Sequence, residues 1–161
     1  MKPVGLLLLL LPCFGLAQDC NLKSSKDPYT REVKVSTGLV QVNNAQYSIE
    51  ATKSQIDFLF VLDGKCFDDN STASVFFTGT KMKSNFRNGG TMNCTGLFHL
   101  TFRNTNPSQS NLQNLASKKI SAIRIKDNTN KEMGIEFNEE QQSMLMKQIN
   151  CVLEEAKKLL Q

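Results

Sequence analysis

Few residues of this chain have a type and spacing that suit chemistry, and each has a plainer reading. His99 is the only histidine among the 161 residues. It stands in Gly96–Arg103 (GLFHLTFR), where Phe98, Leu100 and Phe102 alternate inward, so His99 shares the opposite face with Leu97 and Thr101. A histidine-based metal site recruits several ligands together, and no second imidazole exists to join it. A Ser-His-Asp triad is not signalled either, because no Gly-x-Ser-x-Gly elbow presents a nucleophile. The plain reading is a surface or half-buried histidine. Asp63, Asp68 and Asp69 crowd around Cys66, but their spacing lacks the alternating oxygens of an EF-hand, which leaves a solvated acidic loop. Asp57 and Asp63 would have to serve as the carboxylate pair of a glycosidase, and nothing in the pattern supports that role. Gly89-Gly90 is too short a run to cradle phosphate and reads as a turn. The expectation is therefore no catalytic, cofactor-binding or metal site, and no enzyme.

The cysteines carry a firmer message. Lys2 precedes an unbroken Leu6–Leu11 run, and Gly15-Leu16-Ala17 places small residues at the recognition positions. This is the pattern of a secretory signal peptide over residues 1–17, cut after Ala17. The apolar run is too short for a membrane span, and no later run of about 18 apolar residues follows. Neither Cys13 nor Cys20 is preceded by the small residue that a lipoprotein site needs. Cys20, Cys66, Cys94 and Cys151 remain in the exported chain, an even number that implies disulfides. A secreted or periplasmic protein is expected, disulfide-bonded, with residues 18–161 as a single α+β domain. Removing Lys2 lowers the formal charge of +4 by one. The Lys and Arg residues are scattered along the sequence, without a basic run or zinc-knuckle spacing, so no nucleic-acid partner is expected.

The elements that must position these residues follow from periodicity. Glu32–Val42 reads as a first strand with Val33, Val35 and Leu39 as core candidates, and Gly38 marks a bend or bulge. Tyr47, Ile49 and Ala51 alternate with Gln46, Ser48 and Glu50. In Ser54–Asp63, Ile56, Phe58, Phe60 and Leu62 face one way and Leu59 and Val61 the other, as in a central strand. Ser74–Thr78 and Lys81–Arg87 form a hairpin with Met82 and Phe86 inward. Leu112, Leu115 and Ala116 suit a short helix. Lys119–Lys126 and Glu132–Phe137 flank the turn formers Asp127–Asn130 and predict a second hairpin. Asn138 then offers a helix N-cap with Gln141 at the capping-box position. Leu145, Ile149, Val152, Leu153, Ala156 and Leu160 form one apolar stripe at the helical period. Cys151 falls on the flank of that stripe. The expected fold is α+β: a single antiparallel sheet of about seven strands, with a long C-terminal amphipathic helix packed on one face.

Three disulfide pairings are formally possible. Cys66 follows the central strand, and Cys94 precedes the strand holding His99, with one hairpin between them. That arrangement pairs Cys66 with Cys94 and leaves Cys20 for Cys151, the lead-in crossing the terminal helix.

An ordered series of short motifs runs through the chain: Cys20, Asp27-Pro28-Tyr29-Thr30, Gly64-Lys65-Cys66, Asn93-Cys94-Thr95-Gly96, Ile120–Ile125 and Ile149-Asn150-Cys151. In this the chain resembles a group of small uncharacterised secreted bacterial proteins. Those proteins have a cysteine after the signal peptide, an Asp-x-aromatic-Thr motif and a final cysteine on the last helix. The resemblance implies export to the periplasm or beyond and brings no activity with it. The sequons Asn70-Ser71-Thr72 and Asn93-Cys94-Thr95 are then coincidental. Two functions of different kind remain as expectations. One is a non-catalytic module that binds an unknown protein or surface partner through its sheet. The other is a carrier of a small apolar ligand between helix and sheet, against Phe58 and Phe60.

Overall fold

The computed structural model describes residues 20–105 and 109–161. The expected signal peptide lies outside the described residues. In chain order the elements are β1 (Lys23–Lys26), β2 (Val33–Ser36), β3 (Val40–Val42), β4 (Ala45–Ala51), β5 (Gln55–Val61), β6 (Thr72–Phe77), β7 (Lys83–Arg87), β8 (Leu97–Arg103), α1 (Ser110–Ser117), β9 (Ile120–Lys126), β10 (Glu132–Glu136) and α2 (Glu139–Lys158).

All strand pairs are antiparallel, but they build two sheets rather than one. The larger is six-stranded, in the order β1-β2-β4-β5-β8 with β3 also on β4; the smaller is four-stranded, in the order β10-β9-β6-β7. This corrects the expectation of a single sheet of about seven strands. Period-two alternation assigns each strand a buried face but not its neighbours. Here β5 pairs with β8 across the whole β6–β7 excursion, and β6 pairs with β9.

The expected first strand also divides. Gly38 adopts φ +69°, a left-handed conformation that suits glycine, and the chain on either side pairs with β4 as β2 and then β3. The break turns Leu39 outward, 61% exposed, and Val33 at the start of β2 is 37% exposed; only Val35 of the three core candidates is buried. Met82 is likewise 40% exposed, because it lies in the turn before β7.

The inner faces of both sheets share one core. Ile49, Phe58, Phe60, Phe98 and Leu100 enter it from the larger sheet, and Val75, Ile123, Ile125 and Ile135 from the smaller. Burying each such side chain contributes roughly 1.5–3 kcal/mol. The C-terminal helix starts with a full capping box: the Asn138 carboxamide oxygen accepts from the Gln141 amide, and the Gln141 side chain accepts from the Asn138 amide, both at 2.9 Å. Leu145, Ile149, Val152 and Ala156 are its buried stripe. That stripe does not lie on one sheet alone. α2 packs against β2 and β4 of the larger sheet and β9 of the smaller, so it is wedged between them. Tyr47 ties the wedge down with a 2.6 Å hydrogen bond from its hydroxyl to Gln148, and burial pushes its phenol up to about 12.

Cys20 is bonded to Cys151 on α2, and Cys66 to Cys94. The bridges span 131 and 28 residues, separations for which the chain-entropy model gives about 3–5 kcal/mol each. Among the described residues no helix is long and apolar enough to cross a membrane.

Candidate functional site

His99 does not stand alone. On the outer face of the larger sheet, Asp57 of β5 is cross-strand from both Glu50 of β4 and Thr101 of β8, with His99 two pairs further along and so on the same face. The His99 Nδ1 is 2.7 Å from the Asp57 carboxylate, and the Thr101 hydroxyl donates to its other oxygen at 3.3 Å. The Asp57 hydrogen bond holds the His99 pKa above its usual value against the opposing effect of burial, and the charges of Asp57 and Glu50 add to the rise. Glu50 in turn pairs with Lys34 at 3.0 Å and accepts from Ser36 at 3.3 Å. Ser36 and Ser48 hydroxyls meet at 3.1 Å. These polar groups answer one another, which makes the face a cohesive network.

The other acidic candidates are placed apart. Asp63 follows β5, six residues beyond Asp57, which along an extended chain is roughly 20 Å and too far for a glycosidase pair. One oxygen of Asp68 accepts from the Asn70 amide, the Ser71 amide and the Ser71 hydroxyl, at 2.9, 2.9 and 3.1 Å, so it is committed to shaping the loop. Asn93, from the second sequon, is committed too: its carboxamide donates to the Leu97 carbonyl at 2.9 Å and accepts from the Leu97 amide at 3.0 Å.

Phe58 and Phe60 are closed inside the core. A half-open groove of about 410 Å³ lies instead between α1 and α2, with Ile56, Leu112 and Leu153 in its wall and Glu154 and Lys157 along the helix beside it.

A third region has no signal of a site in its residue types and spacing. After β7 the chain crosses from the smaller sheet to the larger through Asn88-Gly89-Gly90. The Asn88 amide donates to Ser71 at 2.9 Å, continuing the β6–β7 ladder, while the Gly89 amide donates to the His99 carbonyl at 3.0 Å. The Asn88 side chain accepts from the His99 amide at 2.9 Å. Glycine is needed for this crossing, since a Cβ on Gly90 would come within 2.6 Å of the His99 ring and one on Gly89 would strike Thr101. Beyond the crossing β7 and β8 separate. An open cleft of about 470 Å³ lies between them, lined by Asn85, Phe86, Arg87, Thr101, Phe102 and the start of α1. Phe86 and Phe102 meet edge to face across it, with ring centroids 5.9 Å apart.

Ladder phase decides which backbone groups face this cleft. An antiparallel strand directs its N–H and C=O groups alternately to its two sides. The Ser71–Asn88 bond puts Phe86 and Ser84 in phase with the β6 ladder. Lys83, Asn85 and Arg87 therefore direct their backbone groups away from β6, along the outer edge of the sheet. Their side chains are exposed on its outward face. Among the described residues no carboxylate pairs with Lys83 or Arg87, whereas Arg124 pairs with Glu136, and Lys126 lies 4.0 Å from Glu132, at the far side of that face.

No family model, no curated protein and no solved structure matches the chain. The feature of the resembling secreted proteins that the structure carries is the coarse one, a cysteine near the start of the described chain bonded to a cysteine on the C-terminal helix.

Proposed function

We propose that this chain is a non-catalytic binding module, secreted or periplasmic, that engages a protein or surface partner through its smaller sheet. Two disulfides suit an oxidising, extracytoplasmic compartment. The observation that carries the reading is the contrast between the outward faces. At the centre of the larger sheet's face Asp57, His99, Glu50 and Lys34 pair with one another, while at the rim of the smaller sheet Lys83 and Arg87 have no carboxylate partner among the described residues and stand on the unpaired edge of β7. A photo-cross-linking side chain placed at Asn85 should give a discrete adduct in the source cells, and one at Gln46, on the outward face of the larger sheet, should not. Adducts from neither position, or equally from both, contradict the proposal.

A second reading rests on the α1–α2 groove. Its volume of about 410 Å³ falls within the range of small-molecule sites, and Ile56, Leu112 and Leu153 give it an apolar wall. Native mass spectrometry distinguishes the two. A co-purified lipid-sized mass, lost when Leu153 is changed to Glu, favours the carrier; the bare mass of the chain favours the module.

A further inference from the structure

We propose that the outer edge of β7 takes an extended acidic peptide as an added strand. This rests on the binding-module reading and names its partner's chemistry. A strand-adding peptide needs unpaired main-chain groups for affinity and pockets for alternate side chains for specificity. β7 supplies both. Lys83, Asn85 and Arg87 offer the main-chain groups, by the phase of the β6–β7 ladder. Phe86 and Phe102 floor the cleft on the core side of the edge. On the outward side stand Lys83 and Arg87, exposed and without carboxylate partners among the described residues. A peptide that alternates carboxylate and apolar residues presents one set to the cations and the other to the phenylalanines, as the two-residue period requires.

The other sheet edges lack this combination. On β8, the Leu97 and His99 backbone groups are already taken by Asn93, Asn88 and Gly89, and the Arg103 carbonyl accepts from the Gln109 side chain at 3.5 Å, which leaves Thr101 too short a stretch to pair a strand. β1 is exposed along its whole length and so offers no apolar floor. The β10 edge is fastened at Glu136, whose carbonyl accepts from the Asn43 side chain at 2.8 Å. A second copy of the chain is a poor occupant of β7, because antiparallel self-pairing about Asn85 would set Lys83 against Arg87, and like charges placed directly opposite are destabilising.

The test uses the full mature chain and two synthetic peptides of equal length, one alternating Glu with Val and the other Lys with Val, titrated by calorimetry. The Glu peptide should bind at least about tenfold more tightly than the Lys peptide, with the gap narrowing at high salt. The double variant Lys83→Glu/Arg87→Glu, which changes only exposed side chains, should reverse the preference. Asn85→Pro removes one edge N–H and should weaken the Glu peptide by at least about tenfold, with the melting temperature read alongside. Equal binding of both peptides, binding of neither, a preference untouched by the charge reversal, or a concentration-dependent dimer abolished by it would overturn the proposal. If Asn85 cross-links a partner in cells while neither peptide binds, the binding module stands and strand addition falls. If Asn85 yields no adduct in cells, the module reading fails whatever the peptides do.

Discussion

The sheets of this molecule meet along two seams, and the seams are built differently. At the β10 seam the Asn43 side chain, from the β3–β4 turn, reaches the Glu136 carbonyl at 2.8 Å, and Tyr47 meets Phe137 edge to face with centroids 6.4 Å apart. Behind it α2 packs against both sheets. At the β7–β8 seam the link is a backbone crossing at Asn88–Gly90, beyond which the Phe86–Phe102 pair spans the gap. A seam closes where a helix brings an apolar stripe to fill it. It stays open where the connection is made at one end by glycine, which has no side chain to extend the contact. Two exposed cations without carboxylate partners among the described residues, Lys83 and Arg87, stand at the open seam. The inference of a binding edge follows from that coincidence.

The contrast can be broken at its strongest point first. Ile149 is fully buried in the wedge of α2. Ile149→Asp should cost more than about 3 kcal/mol and unfold the chain, since it places an unpaired charge in an apolar site. An unchanged melting temperature would remove α2 from its place between the sheets. A matched pair of truncations then sharpens the comparison. Phe137→Ala, at the closed seam and buried, should cost about 3–5 kcal/mol, and Phe86→Ala, half-buried at the open seam, less than half as much. Equal losses in chemical denaturation would mean that the seams do not differ in packing. Asn43→Gly, which removes the side chain but suits the left-handed φ of +52° at this position, should cost about 1 kcal/mol, the usual net value of one hydrogen bond, and no loss would mean that this bond does not fasten the seam.

The smallest effect concerns pH. His99 has its pKa raised in the folded chain, chiefly by its hydrogen bond to Asp57. A raised folded-state pKa means a contribution that is complete below the unfolded value, about 6.5, and lost as pH rises through the folded one. The groups facing His99 are Asp57 and Glu50, with Lys34 paired to Glu50. Melting followed from pH 5 to 9 should show this decline in the native chain and a smaller one in Asp57→Asn. A variant whose pH profile matches that of the native chain would detach His99 from Asp57.

Much of this fold was legible from the residues, and the reason is local. The α2 capping box needs only Asn138 and Gln141, and the β9–β10 hairpin needs only its alternation and the turn at Asp127, whose carboxylate accepts from the Thr129 hydroxyl and from the amides of Thr129 and Lys131. What escaped was non-local. The alternation in β5 and β6 is alike, and nothing in either strand says that β5 ends beside β8 while β6 joins β9. For the same reason the Asp57–His99 pair was missed. His99 reads on the face opposite Phe98, and Asp57 is weighed only against Asp63, because the meeting of His99 with Asp57 depends on a register between segments 42 residues apart. The binding edge was less legible still. Lys83 and Arg87 look like scattered charges until Asn88 fixes the ladder phase and β7 is left at the rim of its sheet. Gly89-Gly90 reads as a turn in the sequence, whereas the chain there crosses from one sheet to the other, close against His99 and Thr101.

The central claim is that β7 keeps an unoccupied edge ready for a strand. Amide hydrogen exchange tests it most directly, residue by residue along Lys83–Arg87. The Asn85 and Arg87 amides should exchange freely in the isolated chain and slow when the Glu-Val peptide is added, while the Ser84 and Phe86 amides stay protected throughout. Protection of Asn85 and Arg87 before any peptide is present, or free exchange at both with the peptide bound, would contradict the account.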